Sequence, residues 1–344
     1  MKLKISAGSA DSFARLAVIA RTVCGVVIDL PGLLNAGWLS ILLGGLLALA
    51  PALCISCLRK CERVNTPRPV RAAFFLIAIY DAGVVSAAIA DSASFMALNS
   101  TAAVYLMLPQ LALCLFCLRL NGDALGASAG VWNRILPCLL LIVFLLQAAD
   151  YRPEWLTPIL GPGASTILEG ALRAAGWFTL PTALYLAAEP EVCGQETQLH
   201  PIRTLFLCTA FAVLIALSFS MMTPALLDAK LTGRAFRLDA LLANGRAGLG
   251  LQVPTIALWY VGLFYALLFD LFAAAVMLQK ILPGQNRDAC ILLSIIIAGL
   301  LGASPLCKRN GALYAAGWLY AAQCTLLALT MLTGLRGKGG SLHA

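Results

Sequence analysis

Charged residues are scarce in this chain. Asp, Glu, Lys and Arg make up only 12% of its 344 residues, whereas 61% are hydrophobic. Soluble domains carry about 25% charged residues, so the composition excludes a soluble enzyme and predicts a polytopic protein embedded in a lipid bilayer. The net charge of +8 requires no nucleic-acid partner, because the cytoplasmic loops of membrane proteins are enriched in Lys and Arg.

Residues and motifs for catalysis are also lacking. The chain has two histidines, of which His200 falls in a polar loop and His343 next to the last residue. The sequence contains no P-loop, no Rossmann glycine pattern and no H-E-x-x-H motif. We therefore expect neither an enzyme nor a cofactor or metal site.

Cysteine, by contrast, is plentiful, with twelve residues in the chain. Cys54, Cys57 and Cys61 follow a C-x2-C-x3-C spacing, and Cys114 and Cys117 form a second C-x2-C pair. This spacing leaves a thiol metal or redox site open. Apolar surroundings favour the alternative, in which the cysteines pack as small hydrophobic residues in a reducing compartment.

Hydrophobic runs divide the chain into ten predicted membrane segments. They lie at about 13–36, 37–58, 72–96, 101–118, 131–149, 164–188, 204–222, 253–282, 289–303 and 312–332. The polar connection 223–250 has apolar spacing at 235–242, which predicts a short helix on the protein surface. The excess of Lys and Arg in alternate loops predicts that both termini are cytoplasmic.

Two of the ten segments are predicted to be interrupted. The first contains Gly25 followed by Leu30-Pro31, and the sixth contains Gly176 followed by Leu180-Pro181. Within a helix, Gly costs about 1 kcal/mol and Pro about 3 kcal/mol, and Pro cannot donate an amide hydrogen bond. The alternative is that these residues are merely common in membrane helices.

Interruptions at matching positions of two halves indicate a transporter-type site. The predicted fold is an all-α integral membrane protein with about ten transmembrane helices in a 5+5 inverted repeat, with helices 1 and 6 broken. The whole chain, 1–344, forms a single transmembrane domain, with repeat 1 at about 10–149 and repeat 2 at about 151–334.

A small molecule is predicted to bind at the two breaks. Free amides at a half-helix start suit a carboxylate, and free carbonyls suit an ammonium group. The predicted ligand-binding residues are Gly25, Val26, Asp29, Tyr80, Gly176, Trp177, Phe178 and Thr179. Alternatively, Trp177 packs in the core or against lipid, and Asp29 caps a half-helix.

Two acidic residues are predicted at membrane depth. Asp81 lies in the third segment and Asp270 at a similar depth in the eighth. Ionisable groups in the membrane are costly and usually functional, so either residue is a candidate for proton or ion coupling. The alternative is a carboxylate satisfied by Arg21, Arg173 or a helix amide.

Several stretches resemble one known family. They are DLPG at Asp29–Gly32, AGWLSILLGGLLAL at Ala36–Leu49, WLTPILGPG at Trp155–Gly163, ILEGA at Ile167–Ala171, and the segment leading to Trp259. Together they resemble the B subunit of spore germinant receptors, a family of the amino acid–polyamine–organocation superfamily.

This resemblance implies a leucine-transporter-type inverted repeat. It also implies a protein of the spore inner membrane that binds a nutrient such as an amino acid and signals to A- and C-type receptor subunits. The alternative that shares the same pocket is a proton-coupled amino acid or amine permease.

Overall fold

The computed structural model describes residues 3–28, 36–60, 66–96, 101–120, 122–146, 151–157, 163–187, 200–222, 252–307 and 309–339. These residues form eleven α-helices and two short 3-10 turns. The helices are α1 (Ala7–Ile28), α2 (Gly37–Lys60), α3 (Arg68–Met96), α4 (Ala103–Leu118), α5 (Gly122–Leu146), α6 (Ala164–Thr179), α7 (Thr182–Ala187), α8 (Pro201–Met222), α9 (Gln252–Ile281), α10 (Arg287–Ala303) and α11 (Arg309–Gly339). The 3-10 turns are Pro153–Leu156 and Pro305–Cys307.

Five of the described helices are long and apolar enough to cross a membrane. Their apolar windows are Gly37–Leu58, Arg68–Asp91, Gly122–Ile142, Pro201–Ser218 and Ala257–Ile281. Two shorter apolar stretches occur in α4 and α11. The protein is therefore an all-helical integral membrane protein.

Each predicted membrane segment overlaps a described helix, and the sixth overlaps the pair α6 and α7. The described residues include only part of the predicted interruption of the first segment. Helix α1 continues through Gly25 and Val26 as far as Ile28, so Gly25 by itself does not end the helix. Asp29, Leu30-Pro31 and the predicted surface helix at 235–242 lie outside the described residues.

Hydrogen bonds between helix ends define one face of the bundle, which we call the N-terminal face. The Arg71 guanidinium at the start of α3 donates to the carbonyl of Lys280 near the end of α9, at 3.0 Å. The Leu3 amide just before α1 donates to Gln279 Oε1 at 2.7 Å. The starts of α1 and α3 and the end of α9 therefore meet at this face.

Helix α1 packs against α5 with a close approach of the two backbones. A Cβ on Gly126 would collide with Ser9 of α1, so only glycine permits this spacing, as is usual where membrane helices touch closely. Asp123 Oδ1 accepts the Ser6 amide at 2.8 Å and so satisfies a free donor at the start of α1. The first turns of α1 are thereby fixed.

Candidate functional site

The sixth segment is broken at two residues. Helix α6 ends at Thr179 and α7 begins at Thr182, with Leu180 and Pro181 between them. Pro181 has no N–H group, so the carbonyl of Trp177 lacks the amide that would bond to it one turn later. The break thus removes one of the backbone hydrogen bonds that would otherwise join α6 to α7.

This break is narrower than the sequence predicts, because Gly176, Trp177, Phe178 and Thr179 all remain helical. The Thr179 hydroxyl donates to the carbonyls of Ala175 and Gly176, each at 3.0 Å, as threonine often does within its own helix. Because α6 continues through Gly176 to Thr179, Pro181 and not Gly176 is the residue that separates α6 from α7.

A narrow crevice lies beside the break, between α1, α2, α7 and α8. Its volume is about 360 Å³, which includes the open space at its mouth, and the enclosed part is about the size of a water molecule. Among its walls are Phe178, Thr179, Thr182, Tyr185, Thr204 and Cys208. The described residues that line it carry hydroxyl, thiol and apolar groups and no ionised side chain.

One carboxylate near the start of α1 joins three helices, and we call it and its partners the Asp11 cluster. Tyr185 of α7 donates its hydroxyl to Asp11 Oδ1 at 3.1 Å, and Thr204 of α8 donates to the same oxygen at 2.8 Å. Arg15, one turn further along α1, donates to Asp11 Oδ2 at 2.9 Å. Tyr185 and Thr204 also line the crevice, so the cluster borders it.

Three charged residues meet deep in the bundle and form what we call the charged triad. Arg21 Nη2 of α1 lies 3.2 Å from Asp81 Oδ1 of α3. Asp270 of α9 lies close enough to interact with both Asp81 and Arg21. The three residues are only 5%, 2% and 3% exposed, respectively.

The depth of the triad follows from the register of α3 and α9. Asp81 lies ten residues beyond Arg71 and Asp270 ten residues before Lys280, which are the two residues that bond at the N-terminal face. At 1.5 Å per residue, this places both carboxyl groups about 15 Å from that face. That depth is about half the thickness of a bilayer core.

The structure brings some of the predicted ligand-binding residues together and separates others. Phe178 and Thr179 line the crevice, and Trp177 is 3% exposed within the hydrophobic core. Tyr80 points elsewhere, because its hydroxyl donates to the Leu306 carbonyl at 3.2 Å. Asp29 lies outside the described residues.

Of the proposed partners for the buried carboxylates, Arg21 is the one that meets Asp81. Arg173 pairs instead with Glu169 of its own helix.

Across the part of the chain that the structure describes, no group of three or more His, Cys, Asp or Glu side chains is arranged to hold a metal ion. Cys54 and Cys57 lie on α2, and Cys114 and Cys117 lie on α4. Cys61 falls outside the described residues.

The Asp11 cluster was not predicted from the sequence. One signal was available, because Asp11 and Arg15 are spaced by four residues, which places them on the same face of a helix. Nothing local indicates that Tyr185 and Thr204, which are 174 and 193 residues from Asp11 in sequence, complete the cluster.

No protein-family model and no curated protein matches the chain. Among solved structures, it is similar to the manganese transporter of Eremococcus coleocola. The structure in complex with an aromatic bis-isothiourea substituted compound shares 15% identity, with a TM-score of 0.41, over 96% of this chain and 79% of that one. A glutamate-to-alanine mutant of that transporter shares 18% identity, with a TM-score of 0.43, over 95% of this chain and 76% of that one.

Proposed function

We propose that the protein is a proton-coupled transporter of a small amine or amino acid, with Asp81 and Asp270 as the proton-carrying pair and Arg21 as their counter-ion. The observation that carries this proposal is the burial of the charged triad about 15 Å from the N-terminal face of a helical membrane protein. Ionisable groups in such positions are rare and usually belong to ion or proton pathways.

The charge count of the triad favours proton binding. One guanidinium balances one carboxylate, so two ionised carboxylates leave a net negative charge in a site that excludes water. Removing an unbalanced charge from water is expensive, and one shared proton removes the imbalance. Among the described residues, Arg21 is the cation that interacts with both carboxyl groups.

The distribution of the triad over three helices links the proton to movement. Arg21 belongs to α1, whereas the two carboxyl groups belong to α3 and α9. A shift of α1 relative to these helices changes how well the carboxylates are balanced. Proton occupancy and the position of α1 are then thermodynamically coupled, which is the requirement for proton-driven transport.

The packing of the helices supports the 5+5 inverted repeat. The pairs α1–α5, α2–α6, α3–α4 and α3–α10 are in contact. Exchanging each segment for the one five segments away gives the pairs α6–α11, α8–α1, α9–α10 and α9–α4, which are also in contact. If the two halves share one fold, each helix contact is expected to have such a counterpart.

We place the ligand between the first segment and the break of the sixth, with Gly25, Val26, Asp29, Gly176, Trp177, Phe178 and Thr179 as the proposed contacts. The carbonyl of Trp177, which lacks its usual helical partner because of Pro181, suits an ammonium donor. Phe178 supplies an apolar surface next to it. An amine or amino acid presents both of the groups that these contacts require.

Uptake into liposomes tests the proposal. Purified protein would be reconstituted and supplied with radiolabelled amino acids and putrescine, with and without an inward proton gradient. We expect gradient-driven uptake in the wild type and in Asp288→Asn, which alters an exposed carboxylate at the start of α10. We expect Asp81→Asn and Asp270→Asn to remove the gradient dependence, and unchanged dependence in both would refute the proton-carrying role.

A second candidate is the transporter-fold B subunit of a germinant receptor in the spore inner membrane. The sequence resemblance at Asp29–Gly32 and Trp155–Gly163 favours it. It predicts nutrient binding without net uptake and stable co-purification with A- and C-type subunits. Uptake by the isolated protein would count against this candidate, whereas co-purification without uptake would support it.

A further inference from the structure

The Asp11 cluster connects a short helix to the rest of the bundle. Helix α7 has six residues and is separated from α6 by Leu180 and Pro181. Tyr185 donates its hydroxyl from the middle of α7 to Asp11. Because the continuous hydrogen bonding of α6 stops at Pro181, α7 can change its direction without unwinding α6.

The crevice borders α7 and is open at its mouth. Thr182 and Tyr185 of α7 form one wall, and Thr204 and Cys208 of α8 form another. Close-packed interiors resist displacement, so a void beside a hinged helix marks a direction in which the helix can move. The two residues that bond to Asp11 from α7 and α8 both line this opening.

We propose that Asp11 is a latch that holds α7 to α1 and α8 and keeps the crevice closed toward the N-terminal face. Release of Tyr185 and Thr204 from the Asp11 carboxylate lets α7 turn about Leu180-Pro181 and admits solvent to the crevice. The latch rests on the proposed transport function, since it controls access to the segment that carries the ligand-binding break.

The exposure of the cluster suits a reversible latch. The side chains of Asp11 and Arg15 are 12% and 28% exposed, so water at the N-terminal face can replace the bonds that are broken. Arg15 also stays within reach of the carboxylate, because both residues belong to the same helix. Opening therefore separates Asp11 from α7 and α8 without leaving its charge unbalanced.

Cys208 is a native reporter of this opening. It lines the crevice, is fully buried, and its thiol lies 3.8 Å from the Arg15 carbonyl of α1. Cys114 of α4 is equally buried but lies outside the crevice lining. The rate at which N-ethylmaleimide modifies each cysteine can be followed peptide by peptide with mass spectrometry.

We expect Tyr185→Phe and Thr204→Val each to raise the rate of Cys208 modification by about tenfold, the factor that corresponds to about 1.4 kcal/mol. Asp11→Asn should raise it at least as much, since it weakens both bonds. All three changes keep the size of the side chain. Thr330→Val serves as the matched control, because that buried hydroxyl bonds to the Leu326 carbonyl of its own helix.

Modification of Cys114 should not change in any of these variants. Equal rates at Cys208 in the wild type and the three latch variants would overturn the proposal. A parallel rise at Cys208 and Cys114 would also overturn it, because that result indicates loosening of the whole fold. The assay needs no uptake, so failure of the latch is distinguishable from failure of the proposed proton coupling.

Discussion

Replacing Arg21 with methionine removes the cation from a buried ion pair and keeps most of the side-chain volume. Arg21 and Asp81 are 5% and 2% exposed and lie 3.2 Å apart, so the loss of Arg21 leaves Asp81 buried without its counter-ion. Breaking a buried pair in this way typically costs about 3–5 kcal/mol. We expect Arg21→Met to lower the free energy of unfolding of the solubilised protein in SDS by that amount.

The ion pair Arg173–Glu169 within α6 provides the comparison. Its Glu169 side chain is 59% exposed and its Arg173 side chain 18% exposed, and exposed pairs within one helix contribute about 0–1 kcal/mol. Arg173→Met should therefore change the unfolding free energy by less than about 1 kcal/mol.

The double variant Arg21→Met/Asp81→Leu separates pairing from packing. It removes the charges of Arg21 and Asp81, and Asp270 is neutral when it carries the proton of the triad. The variant should therefore recover most of the loss seen in Arg21→Met, since apolar replacements of buried pairs are often neutral. A loss below about 1 kcal/mol in Arg21→Met, the range of an exposed pair, would refute the reasoning. Failure of the double variant to recover stability would attribute the effect to packing.

Two further predictions concern the backbone. Gly126→Ala should destabilise the protein by about 1–3 kcal/mol, as overpacking does, because the new methyl group collides with Ser9. Gly284→Ala should have little effect, because a Cβ there meets nothing within 4 Å. Unfolding in SDS compares the stabilities of the two variants. Pro181→Ala restores an amide at the break, so it should join α6 to α7, raise the melting temperature and slow modification of Cys208 by N-ethylmaleimide. Faster modification in Pro181→Ala would contradict the hinge.

Local chemistry was enough to locate the helices and one of the breaks. Long apolar runs with few charges form helices in a bilayer because no other arrangement of a single segment satisfies its backbone. Pro181 interrupts the sixth segment because it lacks an amide hydrogen. The break could not be bounded more closely from sequence, since Gly176 is tolerated within a buried helix.

Neighbouring residues illustrate what local pattern leaves open. Tyr80 was predicted to contact the ligand and the adjacent Asp81 to couple a proton or ion, but successive residues on a helix point about 100° apart. The structure turns Asp81 to Arg21 and Tyr80 to the Leu306 carbonyl. Which of the two residues points toward Arg21 depends on the rotation of α3. That rotation is set by the packing of α3 against α9 and α10.

The sequence by itself determined that this is a helical membrane protein with acidic groups at depth, because hydropathy and residue type are local properties. Only the tertiary structure decided the partners of those groups. Arg21 meets Asp81 across 60 residues, and Asp11 meets Thr204 across 193. Such contacts depend on the rotation and axial register of whole helices, and these are set by packing over the entire bundle.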